Sequence, residues 1–147
     1  MNQAANVEIT ASATPTISAL PLRLADFDSL ASALDYAAQG ESGTNFYAGS
    51  GKLATVLPYR ILREQAQTLA KRLLSFPLER GARVAIVAET NPDFIRFFYA
   101  CQYAGLIPVA LPASVKVGAH CAYVAQLHLL LEASDAIIGV SSEGYLP

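Results

Sequence analysis

Residues 84–111, VAIVAETNPDFIRFFYACQYAGLIPVAL, leave this chain few folds to choose from, because a strand, a capped helix and a second strand follow one another without a gap. The run 84–88 is continuously apolar, as a parallel strand covered on both faces requires. Asn91-Pro92-Asp93 then reads as a helix start. Asn accepts from the first free amides, Pro loses nothing at the first helical position, and Asp favours the positive end of the dipole. Phe94, Phe97, Phe98, Cys101 and Ala104 recur at helical spacing, and Gly105 stands where a left-handed terminator is wanted. Residues 107–111 form the second strand of a βαβ unit.

Around this unit the pattern stays readable. Phe27, Leu30, Leu34 and Ala38 predict an amphipathic helix over 26–38, ended by Gly40. Runs 45–48 and 52–57 are β-prone and joined by Gly49-Ser50-Gly51, a hairpin turn. Leu62, Ala66, Leu69, Ala70, Leu73 and Leu74 stripe a helix from Tyr59 to about Ser75, with Arg60, Arg63, Glu64, Gln67 and Lys71 on the wet side. A linker over 112–118, a helix over about 120–133 and a strand over 136–140 complete a second crossover. Strand, helix, strand, helix, strand predicts an α/β fold, part of a doubly wound, mainly parallel sheet with flanking helices.

Composition bounds the partners. The chain has 147 residues and a net charge of −2, with no Lys/Arg cluster, so neither a nucleic-acid footprint nor a polybasic membrane patch is implied. Apolar residues make up 53% and charged ones 15%, against roughly 25% charged in an average domain, so surface is expected to be hidden against something else. Cys101 and Cys121 form no disulfide framework and read as free thiols of a reducing cytoplasm. Residues 1–19 read as a disordered tail with no basic start to a signal peptide. Residues 97–115 carry no charge over about a membrane-spanning length, but Gly105, Pro108 and Pro112 would break a spanning helix.

The chemistry-bearing groups are sparse. Gly49-Ser50-Gly51-Lys52 lacks the spacing of a phosphate loop, since Phe46 replaces its first glycine and Leu53 its Mg²⁺-binding hydroxyl. His120 and Cys121 point about 100° apart on one helix and His128 lies two turns on, so no metal set is expected. There is no G-x-S-x-G. Glu89, Asp93, Glu132, Asp135 and Glu143 form no acid–base pair that spacing defends, Asp93 serving the helix dipole and Asp135 a turn. Glu89-Thr90-Asn91 alone has positional meaning, because loops at the carboxyl ends of parallel strands line the ligand crevice of open α/β sheets. Capping explains it more simply.

Five stretches carry a resemblance: LPLRLADFDSLASALDYAAQG, NFYAG, LPYRILREQAQTLAKRLLS, RVAIVAETNPDFIRFFYACQYAGLIPVALP and YVAQLHLLLEASDAIIGVSSEGYLP. From Leu20 onward the chain resembles the N-terminal part of fatty-acyl-AMP ligases, within the adenylate-forming AMP-binding superfamily that includes acyl-CoA synthetases. FFYACQYAGLIPVALP is the most specific piece. The resemblance implies residues 20–147 as an N-terminal segment of an AMP-binding domain. For the parent enzyme it implies attack of a fatty-acid carboxylate on ATP with Mg²⁺, giving acyl-adenylate and pyrophosphate, then transfer of the acyl group to an acyl carrier protein. The family's phosphate loop, adenine-binding segment, ribose-binding Asp and C-terminal Lys have no counterpart here, so the resemblance assigns no catalytic, cofactor-binding or metal residue. Three positions depart from it: Gly81-Ala82-Arg83 for Gly-Asp-Arg, Ser75-Phe76-Pro77-Leu78 for a Leu-Gly turn, and Ala110 for a frequent proline.

The expectation is therefore an N-terminal fragment of a ligase of lipid metabolism, inactive alone. The alternatives are a stand-alone interaction module and one half of a split ligase. Under each, exposed sheet edges predict a homo-oligomer or binding to the missing remainder.

Overall fold

The computed structural model describes residues 20–113 and 120–142 of the chain. The tail 1–19, most of the expected linker and Glu143 lie outside the described residues.

Ser29, with extended backbone at φ −154°, caps α1 (Leu30–Ala37) by accepting from the Ser32 amide. The helix thus starts later than the apolar stripe predicted from residue 26, because Ser29 takes the extended cap position. The hairpin follows as β1 (Gly43–Tyr47) and β2 (Leu53–Pro58), antiparallel. Gly43 is obligatory there: a Cβ would lie 2.6 Å from the Leu57 carbonyl oxygen. Helix α2 (Tyr59–Leu73) buries Leu62, Ala66, Ala70 and Leu73 of the expected stripe, whereas Leu69 is half-buried and Leu74, just past the helix end, is exposed. Arg63, expected on the wet side, instead donates from Nε to Asp35 at 2.5 Å. Asp35 also accepts from the Tyr103 hydroxyl at 2.8 Å, tying α1, α2 and the next helix together.

The βαβ unit is β3 (Arg83–Ala88), α3 (Pro92–Ala104) and β4 (Ile107–Pro112). Asn91 accepts from the amides of Asp93 and Phe94, and Gly105 closes the helix at φ 70°. Helix α4 (His120–Ser134) and β5 (Ala136–Val140) follow. Asp135 turns between them at φ 53°, paired to Arg83 at 3.0 Å. The parallel sheet has the order β4-β3-β5. Val84, Ala85 and Ile86 are at most 1% exposed, as the unbroken apolar run required. Val84 and Ile86 pack with α2 and α3, whereas Ala85 and Val87 face Leu127 and Leu131 of α4. Helices thus cover both faces, as in part of a doubly wound sheet. Ala82, where the family's acid would be solvated, packs against this core instead. The uncharged stretch over 97–115 divides between α3 and β4, and no helix among the described residues is long and apolar enough to cross a membrane.

The two sheet edges differ. Ile107 donates its amide inward to Ala82. Because successive strand amides alternate in direction, the nitrogens of Pro108, Ala110 and Pro112 face outward, and two of these three carry no hydrogen. On β5 the register Ala85↔Gly139 turns Ile138 and Val140 inward and leaves the amide of Gly139 outward, the register shifting between Arg83 and Val84 at Ile137, with no proline or charge in AIIGV. One edge is blocked. The other is open.

Burial pushes the Cys101 thiol up to about 11 from an ordinary 9.0. A raised group stabilises the fold fully below its unfolded value and loses that contribution as pH rises toward the folded one. The urea midpoint is therefore expected to fall from pH 9 upward, and Cys101→Ala to flatten the fall between pH 9 and 10. An unchanged slope in the variant would refute the assignment.

Candidate functional site

In the order β4-β3-β5 the chain leaves β3 for one neighbour and returns to the other, so the crevice between the carboxyl ends of β3 and β5 is the topological switch point. Two loops meet there. Asn91 Nδ2 donates to Glu89 Oε2 and to Ser142 Oγ, both at 3.1 Å, and the Ser142 hydroxyl donates to Glu89. Asn91 therefore has two roles: its oxygen caps α3 while its nitrogen holds the end of β5. The Ser141 hydroxyl beside it is buried with no hydrogen-bond partner among the described residues.

A groove of about 760 Å³ runs from Ser141 and Ser142 between α2 and α3. Arg96 spans it, donating from Nε to Gln65 at 2.6 Å and from Nη1 to Asp93 at 2.7 Å. Arg72, Thr68 and Phe97 complete its walls. On the other face of the sheet a pocket of about 210 Å³ lies between Ala85, Val87, Gly139 and the α4 leucines.

This geometry clamps loops. It is not a phosphate cradle: the turn 89–91 has no glycine, and the amides of Asp93 and Phe94 are already taken by Asn91. Asn91→Ala is expected to cost about 1–2 kcal/mol, the range of a lost cap. Asn91→Asp should keep the cap, lose the Nδ2 bonds to Ser142 and Glu89 and set a second carboxylate beside Glu89, so hydrogen exchange should rise at residues 89–90 and 141–142 without a rise across the first turn of α3. Equal exchange changes at both places in N91D would contradict the two-role assignment.

The other expected sites fall apart in space or stay structural. Gly49-Ser50-Gly51-Lys52 forms the hairpin turn, with Ala48 and Lys52 bonded across it and Gly51 at φ 78°. His128 is exposed on α4, and the side chains of His120 and Cys121 lie outside the described residues. Among the described residues no three His, Cys, Asp or Glu side chains gather in ligand geometry. Glu132 is exposed. Sequence reasoning missed Ser141, Ser142, Arg96 and Gln65. The two serines carried the same signal as Glu89 to Asn91, a position just past a parallel strand.

The AMP-binding enzyme family model matches residues 35–133. Over 131 residues the chain is 44% identical to a Caulobacter vibrioides protein named "Putative acyl-CoA synthetase", covering 89% of this chain and 23% of that protein. A structure from work on fatty acyl-adenylate ligases of E. coli and L. pneumophila superposes with a TM-score of 0.79 at 42% identity, covering 86% of this chain and 23% of that one. McyG A-PCP complexed with phenylalanyl-adenylate matches at a TM-score of 0.67 and 21% identity, over 79% of this chain and 18% of that one, and shows the fold alone. The chain spans about a quarter of the length of the Caulobacter relative and of the fatty acyl-adenylate ligase structure.

Proposed function

The chain belongs to the AMP-binding enzyme family, and from that premise we propose that it supplies the N-terminal α/β framework of a fatty-acyl-AMP ligase. The observation that carries this reading is the 42% identity and 0.79 TM-score to a fatty acyl-adenylate ligase structure. In the parent reaction a fatty-acid carboxylate oxygen bonds to the α-phosphorus of ATP and pyrophosphate leaves with its electron pair, giving acyl-adenylate. The acyl group then passes to a carrier protein.

ATP and Mg²⁺ do not fit the described residues. The first amides of α3 are capped, and Arg96 in the groove is already held by Gln65 across it and by Asp93 on its own helix. Under this reading both are held by parts of the domain outside the matched quarter, and the chain alone is inactive. The framework's own work is to fix the strand ends beside which that site is built. A cytoplasmic setting is supported by the buried free thiol of Cys101.

The test is fatty-acid-dependent ATP–pyrophosphate exchange. The chain alone is expected to give none above background. A chimera in which residues 20–147 replace the matching quarter of the fatty acyl-adenylate ligase is expected to retain exchange. Exchange by the chain alone, or a folded chimera without it, would overturn the proposal.

A further inference from the structure

We propose that Phe27, Tyr36 and Asp26 form a recognition site for the guanidinium group of a partner protein segment, a site that Arg23 fills from within the chain. It is built by α1 and the non-helical stretch before it. The Arg23 guanidinium carbon stands 4.2 Å from the centre of the Phe27 ring and 5.3 Å from that of Tyr36. The rings are tilted at 44° with centres 5.6 Å apart, so they form a corner rather than a flat stack. A carboxylate closes it: Arg23 Nη2 lies 3.0 Å from Asp26 Oδ1. Two aromatic faces and one charged acceptor suit a planar guanidinium, which stacks and hydrogen-bonds at once, better than a compact ammonium.

The resident arginine is held lightly. Its neighbours Leu22 and Leu24 are 94% and 83% exposed and add no burial. Outside the cage, the Tyr36 hydroxyl donates to the Pro21 carbonyl and Leu20 lies over Gly40. A cation–π contact and an ion pair at exposed positions each stabilise little, and a short tether gives Arg23 an effective concentration on the order of millimolar. The surrounding pocket, of about 300 Å³, has room for more than this one group. Its wall includes Asp28, which has no ion pair among the described residues, whereas Asp35 there is paired to Arg63. Incoming positive charge therefore meets a carboxylate not yet neutralised. A free cation must match the tether by its bulk concentration. An arginine on a segment already docked beside α1 has a raised effective concentration of its own, so a protein segment is the occupant that can displace Arg23.

The experiment titrates the full chain with a capped glycyl-arginyl-glycine peptide and follows the ring signals of Phe27 and Tyr36 by NMR. A saturable shift of both rings is expected, with a dissociation constant at least tenfold lower in Arg23→Ala than in the unaltered chain. The same peptide with citrulline, neutral and equal in shape, should give no saturable shift. Tyr36→Leu added to Arg23→Ala should abolish the response. A ring-to-ring Overhauser effect between Phe27 and Tyr36 shows whether the corner stands in each variant. If Arg23→Ala loses it, Arg23→Gln, whose stem still covers Phe27, takes its place in the comparison. Shifts that do not saturate although the corner stands, equal affinity with and without Arg23, or equal binding of the citrulline peptide would each overturn the proposal. So would loss of the corner in both variants, which would make Arg23 a support of the fold and not the occupant of a site.

Discussion

Ile86→Ala is expected to lower the unfolding free energy by about 4 kcal/mol, in the upper part of the 2–5 kcal/mol range for truncating a buried Ile. Ile86 is 1% exposed in the central strand, with β4 and β5 on either side and α2 and α3 above it. A cavity there cannot close easily. The strands fix the backbone, and the helices meet through Ala70 and Ala100, which have no longer side chain to swing into the space. Since a domain holds only about 5–15 kcal/mol in total, the variant should sit near the edge of folding. Urea unfolding followed by near-ultraviolet circular dichroism measures the loss. A change below about 1 kcal/mol would show that the two-helix layer collapses onto the gap. Ile137→Ala, at 66% exposure, serves as the near-neutral control.

Gly43→Ala is expected to cost about 2–3 kcal/mol, as forced overpacking does. The new methyl would lie 2.6 Å from the Leu57 carbonyl oxygen and 2.8 Å from the Pro58 Cα, both backbone atoms that cannot rotate away. To admit it, β1 must move off β2, and Phe46 and Leu57 must loosen from Leu34 and Leu62. Hydrogen exchange should therefore rise across Gly43–Tyr47 and Leu53–Pro58 while Arg83–Ala88 keeps its protection. Uniform loss across both sheets would show that the hairpin and the parallel sheet unfold as one unit. Tyr103, which packs against both clusters, is the residue that would couple them.

The parallel unit was legible because its signals are local. Asn91, Pro92 and Gly105 each mark a helix end by their own backbone chemistry, and an unbroken apolar run means burial on two faces. The start of α1 was not legible, because Phe27 fits the apolar stripe whether or not the backbone there is helical. The Asp35, Arg63 and Tyr103 cluster joins residues 28 and 68 positions apart, which no periodicity links. In the crevice, Glu89 to Asn91 were legible as a strand end, but their partner Ser142 lies more than 50 residues on and is set by the crossover through α4. Pro108 and Pro112 were plain in the sequence. Which way their nitrogens point required the register with β3.

Those two prolines also set how many copies of the chain can join. A sheet with two adhesive edges can add subunits at both ends without limit, which is the geometry of a growing fibril. Among the described residues the parallel sheet has one edge free of proline, that of β5. Two copies pairing through β5 would expose β4 at both ends of the doubled sheet, and each end would be terminated by Pro108 and Pro112. Pairing through the parallel sheet should therefore stop at two copies rather than continue.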